Sequence, residues 1–139
     1  MSKLSGIACT AMRACVAVGS YVGAEGSATL AEVWDGSSWR IAPSANPGSG
    51  SGSLLGVSCL RATDCEAVGV GVTGAGENAT LIEQWRGASW ALAAHPNPKP
   101  SEGSVLIGVA CAVPTECIAV GYNSRTVSIQ ATLVEQESR

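Results

Sequence analysis

Hydrophobic and polar residues alternate with a period of two along most of this chain, most clearly in LGVSCLRATDCEAVG, Leu55 to Gly69. Leu55, Val57 and Cys59 share one face of an extended segment while Gly56 and Ser58 take the other. Past a short loop, Cys65, Ala67 and Gly69 alternate with Glu66 and Val68. Glycine and β-branched valine inside both runs lower helix propensity, so period two prevails over 3.6. The pattern predicts a β-hairpin with one cysteine on each strand. The five residues between the cysteines fit a short hairpin loop, which brings the flanking pair side by side, within reach of a disulfide.

The pattern occurs three times. SGIACTAMRACVAVG, Ser5 to Gly19, and IGVACAVPTECIAVG, Ile107 to Gly121, repeat it, with Gly6, Gly56 and Gly108 spaced 50 and 52 residues apart. Beyond the hairpin, SATLAEVWDGSSWRIAPSANP (Ser27 to Pro47) aligns with NATLIEQWRGASWALAAHPNP (Asn78 to Pro98), and the third copy keeps ATLVEQ, Ala131 to Gln136. Each complete repeat therefore predicts four strands: two in the hairpin, a third carrying Thr-Leu-x-Glu, and a fourth starting at the second Trp. Leu30, Glu32 and Trp34 share a face of the third strand, as do Leu81, Glu83 and Trp85. Gly36 and Gly87 punctuate the turn before the fourth strand and are expected at positive φ. Pro43, Pro47, Pro96, Pro98 and Pro100 fall between or just before repeats, where no ladder N–H is needed, and Pro114 sits in a hairpin loop.

Self-similarity at about 50 residues with four antiparallel strands is the dimension of a β-propeller blade. The expectation is one all-β domain over 1–139, with blades at about 4–47 and 54–98 and a partial blade at about 105–137. The motifs Leu-x-Gly-Val-x-Cys, Cys-x-Ala-Val-Gly, Thr-Leu-x-Glu-x-Trp-x-Gly-x-x-Trp and x-Asn-Pro resemble tandem repeats of secreted bacterial proteins that are similar to kelch-type propellers. That resemblance covers nearly the whole chain and implies a propeller, but brings no established activity. Two full blades and three further strands fall short of the roughly four blades of a closed ring. Three readings stay open: self-association that completes the ring, with a dimer favoured; a piece of a longer propeller; and a monomeric β-trefoil, which also has three four-stranded repeats.

Composition narrows the function classes. The net charge of −3, with no Lys/Arg cluster, disfavours nucleic acid, and no apolar run reaches the roughly 20 residues of a membrane helix. With no Phe and 17 Gly, a core must be built from Ala, Val, Leu and Ile in closely stacked sheets. The pairs Cys9 and Cys15, Cys59 and Cys65, and Cys111 and Cys117 read as disulfides, which persist in oxidising compartments. MSKLSG, however, has no stretch of signal-peptide type. The expectation is an extracellular protein whose leader is absent from this chain, with a reduced cytoplasmic protein as the alternative. Zinc is disfavoured, because four ligands must meet at one ion whereas these pairs lie on separate repeats.

The candidate ligand-contacting residues are Trp34, Trp39, Trp85 and Trp90, since flat rings with one N–H suit sugar faces and protein surfaces alike. Trp-Asp-Gly-x-x-Trp resembles the turn in small fucose-binding lectins, which implies a sugar beside Trp34 and Trp39 or Trp85 and Trp90. Those lectins pair an arginine with an acidic group, and no arginine recurs here: Arg40 aligns with Ala91, and Arg86 with Asp35. The competing reading is that these rings pack one blade on the next. Glu32, Glu83 and Glu135 recur at spacings of 51 and 52 and suit either a ligand or a hydrogen bond to the adjoining blade. Tyr21 and Tyr122 follow the Ala-Val-Gly strand in two copies, and the sole histidine, His95, lies in a proline-rich linker. No catalytic constellation, metal site or cofactor motif is expected. The function expected is a non-catalytic binding module on an oligomeric propeller, with carbohydrate as its ligand; the alternative is a structural or protein-interaction scaffold.

Overall fold

Runs of small and β-branched residues broken by Gly and Asp turns favour extended backbone throughout. The computed structural model describes residues 1–46, 51–93, 103–126 and 129–138, and every regular element among them is a strand. The first unit comprises β1 (Ser2–Ala11), β2 (Ala14–Gly23), β3 (Gly26–Trp34) and β4 (Trp39–Ala42). The second comprises β5 (Gly52–Arg61), β6 (Asp64–Val72), β7 (Asn78–Trp85) and β8 (Trp90–Leu92). The third comprises β9 (Gly103–Val113), β10 (Glu116–Thr126) and β11 (Ile129–Ser138). Within each unit, consecutive strands pair antiparallel. A single parallel bridge, Asn78 to Gly103, joins the second and third units into one sheet, and neither sheet closes on itself. Pro47, His95, Pro96, Pro98 and Pro100 lie outside the described residues.

The hairpins match the cysteine spacing. Cys9 pairs with Cys15, Cys59 with Cys65 and Cys111 with Cys117 directly across the ladder, and each pair is a disulfide. One detail departs from simple alternation. A bulge at Leu55 shifts the strand, so that Leu54, not Leu55, joins Val57 and Cys59 on one face and stands opposite Gly69. The same irregularity recurs at Ser5 and Ile107. Opposite each bulge a side chain would strike backbone: a Cβ on Gly69 would lie 2.0 Å from the Ser53 carbonyl oxygen.

The units stack face to face. Each has a front, toward the next unit, and a back, toward the one before. Val16, Val18, Ala31 and Ala42 on the front of the first unit pack on Leu54, Ala67, Leu81, Trp85 and Trp90 on the back of the second. Val68 and Ile82 on the front of the second pack on Leu106 and Ala119 on the back of the third. These two layers form the core, each fully buried Val or Leu contributing about 1.5–3 kcal/mol. The first strands of the units approach most closely. A Cβ on Gly6 would sit 3.2 Å from Gly56 Cα, and one on Gly56 would sit 2.7 Å from Ile107 O and 3.2 Å from Gly108 Cα.

Candidate functional site

Cross-strand register sets the tryptophans in pairs. Trp34 stands opposite Trp39 and Trp85 opposite Trp90, with ring centroids 5.6 and 5.7 Å apart and planes tilted by 40° in both. The intervening turns rest on Gly36 and Gly87, at φ +99° and +91°. In the first, Asp35 Oδ1 accepts hydrogen bonds from Ser37 N, Ser37 Oγ and Ser38 N at 2.8, 2.9 and 3.0 Å. The Ser38 and Ser37 amides and the Ser37 hydroxyl hold its carboxyl at about 2. In the second turn Arg86 replaces the aspartate and reaches Asp64 instead, at 3.5 Å.

Identical local geometry meets two environments. The second pair lies between the first and second units, where Trp90 is 4% exposed and Trp85 donates from Nε1 to Ala62 O at 3.0 Å. The first pair lies on the back of the first unit, which no described residue covers, and Trp39 is 43% exposed. Position in the stack, not the local motif, decides which rings meet solvent. Beside Trp39 an open, shallow pocket is lined by Leu4, Gly6, Ile7, Ala17 and Glu32.

Glu83 is fully buried at the junction of the first two units. Past β4, the chain crosses onto the second unit: Trp90 N donates to Pro43 O at 3.1 Å, Ser44 Oγ lies 2.9 Å from Glu83 Oε2, and Ala45 N lies 3.3 Å from the same oxygen. Behind them Ser44 Oγ is 2.8 Å from Thr29 Oγ1, which donates to Asn46 Oδ1 at 2.9 Å. Ser44 Oγ is the donor to Glu83 Oε2, and Thr29 Oγ1 the donor to Asn46 Oδ1. Burial raises the Glu83 carboxyl to about 7, against the opposing pull of Ser44, Ala45 and Thr29. This is a clasp between units, the bonding partner expected of the adjoining repeat. Glu32, the equivalent in the first unit, is half-buried on the open back face, and Glu135 is half-buried in β11. Residues 95–97, which align in sequence with 44–46, lie outside the described residues.

Ser44 and Asn46 were not singled out by the sequence pattern, because His95 aligns with Ser44; the recurring Asn-Pro was the available signal. Tyr21 is exposed at the far end of β2 and Tyr122 is half-buried in β10. Among the described residues, one close grouping of metal-ligating types exists: Glu66, Cys111 and Cys117, with ligand atoms within 4.8 Å of one another. Its two sulfurs are joined in a disulfide and offer no thiolate. The three disulfides suit an oxidising environment. Compared with family models, curated proteins and solved structures, the chain matches none.

Proposed function

We propose that this chain is a non-catalytic protein-interaction module built of β-propeller blades, whose binding surfaces are the sheet faces at the ends of its stack. Support for blades over a β-trefoil comes from the four-stranded meanders in sequential order, stacked face to face with their first strands adjacent. Support for a non-catalytic role comes from the repeated glutamate, which at Glu83 serves as a structural clasp.

The observation that carries the binding reading is a contrast between equivalent residues. Leu54 and Leu106 are 0% exposed on the backs of the second and third units, whereas Leu4 on the back of the first is 49% exposed. A surface sealed twice within the chain stands open once, and contiguous apolar surface of this kind marks an interaction site. An anilinonaphthalene sulfonate titration at submicromolar protein, paired with a molar-mass measurement at high concentration, tests it. Dye binding that is lost in the Ile7→Ser/Val120→Ser variant supports the reading. Absence of both dye binding and association would overturn it.

A second reading, carbohydrate binding, is favoured by the open Trp34–Trp39 pair alone, since Trp85 and Trp90 are closed off by the first unit. Titrating neutral mono- and oligosaccharides against tryptophan emission separates the two. A saturable change that disappears in Trp39→Phe supports sugar, and a flat response to millimolar ligand removes it.

A further inference from the structure

Resting on the reading of the end faces as binding surfaces, we infer that the occupant of the first unit's open back is the third unit's open front from a second copy of this chain, docked head to tail. The front of the third unit presents Ile118, Val120 and Val134 to solvent. Cross-strand register places Ile118 at the position of Val16 and Glu66, and Val120 at that of Val18 and Val68. Val18 and Val68 are both 0% exposed because a back face covers each; Val120 is 48% exposed. The third unit also carries Ile118 where the second has buried Glu66, which makes its front resemble the first unit's front, the one that packs on Leu54 and Trp90.

The missing partner of each end is therefore present at the other end of the same molecule. Leu4, Ile7 and Trp39 offer the surface that Leu54, Val57 and Trp90 offer inside the chain.

The glycine column gives the junction its direction independently. Gly6 and Gly56 each lack a side chain where the next unit's first strand presses in, within 3.2 Å or less of a would-be Cβ. Gly108 is the third member, yet a Cβ there would meet nothing closer than Val120 Cγ2 at 3.6 Å, an ordinary contact. Nothing among the described residues requires glycine at this position. A second copy's Ser5–Gly6 backbone, seated as the Leu55–Gly56 backbone is seated against Gly6, does. Two copies joined this way bring twice three units, six, within the roughly four to eight blades of closed rings. Like-to-like pairing, front on front, leaves the glycine column unexplained.

Sedimentation velocity of the full chain and three variants tests the proposal, with far-ultraviolet circular dichroism as the folding control. Wild type is expected to associate at micromolar concentration. Gly108→Ala, which the monomer accommodates, is expected to weaken association at least tenfold. Ile7→Asp spoils the back and Val120→Asp the front; each alone is expected to sediment as a monomer, and an equimolar mixture to regain a two-chain species through the intact back of one and the intact front of the other. A wild type that remains monomeric while its end faces still bind the apolar dye overturns the second-copy partner and leaves the end-face reading standing. Unaltered association of Gly108→Ala, or a mixture that fails to regain the complex, overturns the head-to-tail geometry.

Discussion

Glu83 shows how one residue's chemistry is set by what lies on it. Its folded-state pKa, about 7, lies above the ordinary 4.5, so between these values the folded chain holds a proton that the unfolded chain has released. The stabilisation is full below pH 4.5 and is lost as pH rises through 7, up to about 3 kcal/mol in all. Chemical denaturation at pH 5 and pH 8 is expected to find the protein more stable at pH 5. Glu83→Gln, neutral at both, is expected to remove most of that difference, and an unchanged pH dependence would mean the carboxyl is ionised in the fold. Leu54 and Leu4 make the second residue-level comparison. Leu54→Ala empties a sealed position and is expected to cost about 2–5 kcal/mol, whereas Leu4→Ala in the monomer is expected to cost under about 1 kcal/mol.

The elements themselves were written in short-range pattern. Cysteine spacing located the three hairpins, Thr-Leu-x-Glu located β3 and β7, and the second tryptophan of each turn begins β4 and β8. What escaped was set by neighbours distant in sequence. The bulge at Leu55 moves Leu54 onto the core face, and simple alternation has no signal for an extra residue. The clasp on Glu83 comes from Ser44 and Ala45, 39 and 38 residues away, on a segment whose equivalent begins with His95. Two tests belong here. Gly69→Ala would place a Cβ 2.0 Å from Ser53 O and is expected to lower stability by at least about 3 kcal/mol, read by thermal unfolding. Replacing Cys9 and Cys15 together by Ser opens a ring with a sequence separation of 6, and is expected to cost about 2 kcal/mol.

At the scale of the molecule, stacking explains why equal motifs behave unequally. The tryptophan pairs share spacing, register and ring geometry, yet one is sealed and the other open because only one has a unit packed on its back. No local reading of Trp-x-Gly-x-x-Trp could tell them apart, so the ligand candidates divided only when the units were seen together. The proposed head-to-tail pairing predicts behaviour in solution, since apolar end faces left uncovered favour association. Light scattering of the wild-type chain, from below one micromolar to several hundred, weighs that most directly. The account predicts a molar mass climbing from 14.0 kDa toward a multiple of it. A value fixed at 14.0 kDa across the whole range would contradict it.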